Sequence, residues 1–437
     1  MPAGDGPAFT NQNETKNQNG RKTTMFTLNR RGLLLALGSA PLAGLLPARA
    51  RAQEIDINYW HHFTSSTEFA GLERVLALFA QSDPGIKVVQ ENIPNPEYMA
   101  KVTAAVVANA RPNTSMVSAE RVKDMVAMGA LTDITSRVQG WARFDEYRPE
   151  QWSGATVDGK IYGVPAFTFV DWMYYRKDWF AEAGIAPPST LAEFREAAIA
   201  LTDPSKNRYG FSLRGGAGGQ SFVLNMIEAF GSPFVVDGKP AIDRDKAVEA
   251  VAFWSGLYTT DKAVPDSAPN DGYRQIMEAF KTGQTAMVMH HTGSLTEIAG
   301  AMQPEQWGTV MIPAGPAARI ARLAYLSNGI MNPENEDASW KWISYWAEPE
   351  PAIAFLEETG YFPSSPKVAA DPRIMANPIY AAAVETTKIG RLPVNFVGSS
   401  GWSEQVVLPE FQKVLVGSAT PEQAVDAMIV GLDDALR

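Results

Sequence analysis

Ile55-Asp56-Ile57-Asn58-Tyr59 runs directly into Trp60-His61-His62-Phe63, and the residues beyond change period. Ile55–Tyr59 reads as a strand. Phe69, Leu72, Val75, Leu76 and Phe79 then recur at helical spacing until Pro84-Gly85 breaks the helix. Ile86–Val89 reads as a second strand, Tyr98–Ala110 as a second helix and Met116-Val117 as a short apolar stretch. Arg121–Met128 reads as a helix stopped by Gly129. This strand–helix–strand–helix order predicts an α/β fold, a parallel sheet covered by helices.

A second region of the same kind begins near Pro165. Trp172–Tyr175 reads as a strand and Asp178–Ala183 as a helix. Thr190 and Glu193 have capping-box spacing before a helix to Leu201. Asp243 precedes a long helix carrying Val251, Trp254 and Leu257, and Thr285–Met289 is a strand ending in His290-His291-Thr292-Gly293-Ser294. Late helices are expected near Asp337–Trp346, Ala352–Glu357 and Val406–Val416, and Thr420-Pro421 opens the last one.

The 437 residues include 48 acidic and 38 basic side chains and no cysteine, with 45% apolar residues. Disulfide scaffolds and cysteine-ligated metal sites are excluded. A net charge of −10 argues against a nucleic-acid partner, whose phosphates demand lysine and arginine. Arg30-Arg31, the apolar run Leu33–Leu46 and the small residues of Ala48–Ala52 read as an export signal, too short to span a membrane. The arginine pair resembles a twin-arginine signal, Met25 reads as the conventional start, and residues 1–52 are expected to be removed.

Asp158-Gly159-Lys160-Ile161-Tyr162-Gly163-Val164-Pro165, followed by Tyr174-Tyr175-Arg176-Lys177-Asp178, resembles a phrase of the family 1 extracellular solute-binding proteins, the sugar receptors of ABC importers related to maltose-binding protein. Phe280-Lys281-Thr282-Gly283-Gln284-Thr285-Ala286-Met287, Thr359-Gly360-Tyr361-Phe362-Pro363 and Thr420-Pro421-Glu422-Gln423-Ala424 resemble further phrases of it. The resemblance implies a two-lobe type II periplasmic-binding-protein fold, with parallel-rich sheets, helices on both faces and a hinged cleft. The lobes would comprise 53–165 plus 292–335 and 166–291 plus 336–437. It also implies that a small-molecule sugar or polyol is bound without chemistry and passed to permease subunits. The receptor would be periplasmic and monomeric, with no cofactor.

Within such a cleft, a sugar needs aromatic plates and polar groups at the C-terminal ends of strands. His61, His62 and Thr64 follow the first strand; His290 and His291 follow a later one, beside Gly293 and Ser294 as backbone donors. Ser115 stands where the family often has a sugar-binding aspartate. Phe167, Thr168 and Asp171 lie in a stretch the family uses for ligand. Gln220, Asn328 and Gly329 are candidate contacts, Tyr361 and Trp402 candidate stacking plates, and Glu120 a weaker candidate. The four histidines fall in two adjacent pairs, but neighbours on a strand point to opposite sides, so a four-histidine metal site is not expected. Arg214-Gly215-Gly216-Ala217-Gly218-Gly219-Gln220-Ser221 lacks the last glycine of a dinucleotide fingerprint. No nucleophile elbow or zinc-protease motif occurs. The segment Val394–Trp402 lacks the arginine of the glycerol-3-phosphate receptors, which favours an uncharged ligand. A phosphorylated-polyol receptor and a secreted carbohydrate-active enzyme are the alternative readings.

Overall fold

The structure, a computed structural model, describes residues 54–437. The export signal expected over residues 1–52 lies outside the described residues. Three parallel strands form one flank of the main sheet: Ile86–Asn92 and Thr114–Ser118 on either side of Ile55–His61. The alternation of strand and helix produces this flank as the sequence predicts. Helix Ser66–Ser82 returns the chain, opened by a capping box between Ser65 and Glu68.

The centre of the sheet is antiparallel. Ala321–Ile330 pairs with Thr114–Ser118 on one side and with the long strand Val164–Arg176 on the other. That long strand then changes partner. Its first half, Val164–Val170, lies against Ala321–Ile330, while Asp171–Tyr175 lies against Thr285–His291, which carries Tyr209–Phe211 in parallel on its far edge. The strand expected over Trp172–Tyr175 is thus the end of a 13-residue strand that begins at Val164. Pro165 does not interrupt it. Lacking an N–H, Pro165 falls where the register slips, between Leu326 and Ser327 of the partner.

Side chains change core along the same strand. Ala166, Phe167 and Phe169 pack with Ile57, Tyr59, Phe79 and Leu326. Val170 and Met173 pack with Phe194, Phe211, Trp254 and Met287. Trp342, Trp346, Phe355 and Tyr361 join the first of these cores. The expected boundary, which assigns everything after residue 335 to the second lobe, therefore needs correction: helix Glu336–Tyr345 turns its apolar face to the first core, and helix Pro349–Thr359 adds Phe355 to it, while its Ala352, Ile353 and Leu356 join a third cluster with Trp172, Tyr174 and Phe280. Phe362, Val368, Ile374 and Ala383 belong to that third cluster, and Val407, Phe411, Met428 and Leu432 to the second core.

Caps read from the sequence hold. The Thr190 hydroxyl accepts from the Glu193 N–H at the start of Leu191–Ala200, and Thr420 does the same for Gln423 before Pro421–Ala435. Thr190→Ala is expected to lower unfolding free energy by about 1 kcal/mol, read from urea denaturation followed by circular dichroism.

Candidate functional site

The loops at the C-terminal ends of the parallel strands face those of the second core across a cleft of about 480 Å³. One wall is built by His62, Thr64 and Glu68 after the first strand, Asn92 and Asn95 after the second, and Ser118, Glu120 and Arg121 after the third. The opposite wall comprises Arg214, Gln220 and Asn225 around the helix Gln220–Ala229, together with Tyr273, His290 and His291. Phe169, Arg322 and Tyr361 also line it.

Four buried polar atoms in this lining lack a hydrogen-bond partner among the described residues: His62 Nε2, Ser118 Oγ, Glu120 Oε2 and Gln220 Oε1. Buried polar atoms are normally paired, so a cluster of orphans on facing walls calls for an external partner. The aromatic surface beside them comes from Phe169 and Tyr361, whose rings lie 5.6 Å apart. His291 packs on Phe169 at 4.2 Å and on Tyr361 at 5.4 Å. The Tyr361 hydroxyl donates to Glu68 at 2.8 Å, which fixes the ring's position.

The imidazoles are held neutral. Burial, with a smaller contribution from Arg121, pushes His62 down to about 3. Burial pushes His290 and His291 well below their ordinary range, and the charges of Arg322 and Arg214 push the same way. Each therefore offers one donor and one acceptor at neutral pH.

Polar bridges tie the walls together at the mouth. Arg121 pairs with Glu404 at 2.9 Å. Lys123 donates to the Asn395 carbonyl at 2.8 Å, and the Asn395 side chain donates to the Ala119 carbonyl at 2.6 Å. On the other side Arg274 donates to the Thr64 carbonyl at 3.0 Å.

Of the residues singled out in the sequence, His62, Thr64, Gln220, His291 and Tyr361 line the cleft, as do His290 and Glu120. The others stand behind it. His61 alternates away from His62 and bonds Gln90 at 2.8 Å inside the sheet. The Ser115 hydroxyl is held by Tyr98 at 2.6 Å. Phe167 is core, packed on Phe355 and Tyr361, and the Thr168 hydroxyl donates to the Ala324 carbonyl. Asp171 is fully buried against Arg322, 3.3 Å away. Ser294 holds His290 at 2.7 Å, and the Gly293 N–H donates to His291 at 3.1 Å, so both orient imidazoles. A Cβ at Gly293 would strike the Tyr361 ring at 2.5 Å. Asn328 accepts from Tyr59 at 2.9 Å, and Gly329 packs beneath the Tyr162 carbonyl.

Trp402 is corrected outright. Its indole N–H donates to the Met428 carbonyl at 2.9 Å, and its ring packs against Phe234 and Phe396 in the second core. The glycines and serines around it suggested an open loop, but Ser399–Trp402 is a helical turn whose aromatic residue points inward. Sequence reasoning also passed over Arg214, Arg322 and Tyr273. Arg322 had a signal, a charge within the apolar run Ala321–Ile330.

Residues 64–353 match the family of bacterial extracellular solute-binding proteins, and the chain belongs to that family. A binding protein of Brucella abortus (strain 2308) is 23% identical over 421 residues, covering 93% of this chain and 98% of its own. The mannitol-binding protein of Pseudomonas aeruginosa is 25% identical over 243 residues, 51% of this chain and 52% of its own. Among solved structures, maltose-bound MalE3 of T. maritima superposes with a TM-score of 0.80 at 21% identity, covering 87% of this chain and 99% of that one. The fold is thus the type II two-lobe fold of periplasmic binding proteins, and the family is one of transport receptors.

Trp402→Ala is expected to cost about 3–5 kcal/mol of stability in urea unfolding. The folded fraction should keep its ligand affinity.

Proposed function

We propose that the protein is the exported receptor of an ABC importer, capturing a sugar or polyol in the cleft and delivering it unchanged to membrane permease subunits. The four unpartnered polar atoms on facing walls carry this reading. They demand a compact partner with hydroxyls on several sides, and Phe169 and Tyr361 offer apolar surface to its C–H faces. The mannitol-binding relative supports the same ligand class. A micromolar complex needs about −8.2 kcal/mol. At about 0.5–1.5 kcal/mol for each net hydrogen bond, four orphans supply about 2–6 kcal/mol, and burial of the ligand's C–H surface on Phe169 and Tyr361 must supply the rest.

The receptor works as a monomer in the periplasm, reached through the twin-arginine-like signal at Arg30-Arg31. Its lobes divide along the partner change of Val164–Arg176, and the bridges of Arg121, Lys123 and Arg274 belong to its closed state. Ligand and bridges together select that state from an open–closed equilibrium.

A thermal-shift screen over mono-, di- and oligosaccharides and polyols tests the reading. At least one compound should raise the melting temperature and be recovered chemically intact, and Glu120→Ala should weaken its binding about tenfold or more. A screen without any stabilising sugar or polyol, or turnover of the bound compound, would refute it.

A further inference from the structure

The glycine run Arg214-Gly215-Gly216-Ala217-Gly218-Gly219 wraps an arginine. Gly218 has φ +87°, and a Cβ there would stand 2.1 Å from Arg214 Nη2 and 2.4 Å from Cζ. A Cβ on Gly219 would meet the Arg214 carbonyl at 2.2 Å. Arg214 Nε donates to the Ala217 carbonyl at 2.7 Å, closing the loop around its own first residue. The loop thus fixes a guanidinium in the cleft wall, and only Gly218 leaves room for it.

Arg214 differs from the other arginines of the lining. Arg121 holds Glu404, Arg322 holds Asp171, and Arg274 is spent on the Thr64 carbonyl. Among the described residues, no carboxylate lies within ion-pairing distance of Arg214, and its terminal nitrogens have no hydrogen-bond partner. Two carboxylates of the lining are engaged elsewhere. Glu404 serves Arg121, and Glu68 accepts from Tyr361 and from the Thr64 and Ser65 backbone. The charge of Glu120 acts on Arg322, and that of Arg391 acts on Glu228. Burial, then the Arg322 charge, pushes Arg214 down to about 10, which leaves it protonated at neutral pH. Asp171 offsets part of this from behind the wall, but it is already paired with Arg322. A half-buried guanidinium with free terminal N–H groups is matched bidentately by the two oxygens of a carboxylate, whose single charge one cation balances.

Resting on the sugar or polyol reading above, we propose that the solute carries a carboxylate and that Arg214 selects it, so that the ligands are sugar acids, either uronates or aldonates. The uncharged ligand expected from the late loop gives way, because the cation comes from a different loop. The hydroxyl end of the solute then faces Glu120 and Ser118, across the cleft from Arg214.

Isothermal titration of the full exported chain with matched pairs tests this: galacturonate against galactose, glucuronate against glucose, and gluconate against glucitol. In at least one pair the acid should bind tenfold or more tightly than its neutral partner, with the gap shrinking as salt is added. Arg214→Gln should abolish the gap by weakening the acid at least tenfold more than its neutral partner, and Arg214→Lys should restore part of it. Equal or tighter binding of the neutral partner in every pair would overturn the inference and leave the receptor function standing. So would binding of glycerol-3-phosphate with no carboxylate bound. An acid preference that survives Arg214→Gln would remove Arg214 as the selector. Should that variant fail to fold, a salt-insensitive gap in the unaltered chain would do the same. Silence from acids, neutral sugars and polyols alike would refute the proposed function itself.

Discussion

A buried carboxylate and a guanidinium meet where the long strand changes partners. Asp171 is the first residue of Val164–Arg176 to pair with Thr285–His291, and Arg322, from Ala321–Ile330, reaches it at 3.3 Å. Removing one partner from such a buried pair commonly costs about 3–5 kcal/mol, because the other charge is left uncompensated. The pair sits where two cores share one strand. It anchors Arg322 and, through the register, places Phe169 and His291 beside each other. The lining of the cleft follows from that placement.

Around this centre the cleft is assembled from loops at the strand ends. Three parallel strands deliver His62, Asn92 and Ser118 to one wall at successive strand ends, and the second core delivers Gln220, His290 and His291 to the other. Neutral imidazoles, a fixed tyrosine and unpartnered amide, hydroxyl and carboxylate oxygens suit recognition by hydrogen bonding. No nucleophile–base–orienter arrangement is evident among the described lining residues.

The fold was legible because its signals are local. The period change after Ile55–Tyr59, the capping box at Thr190, the N-cap at Thr420 and the breaker Pro84-Gly85 all act within a turn or two of chain. The cleft lining was legible where a residue's direction follows from a strand end, as for His62 and His291, and also at Gln220 and Tyr361. It failed where direction depends on tertiary packing. Ser115 and Asn328 have the right chemistry, but Tyr98 and Tyr59 claim them. Trp402 sits in a glycine- and serine-rich stretch that reads as open loop, yet Phe234 and the Met428 carbonyl receive it. The sharing of one long strand by two cores was equally invisible, because the partners along those 13 residues come from segments distant in sequence.

Hydrogen–deuterium exchange on the exported chain, with and without a saturating amount of the most stabilising solute from the screen, addresses the cleft most directly. The account requires simultaneous protection of segments 62–68, 118–124, 214–221 and 395–404, which face each other only across the closed cleft. Protection confined to one wall, or located on surfaces away from these segments, would contradict it.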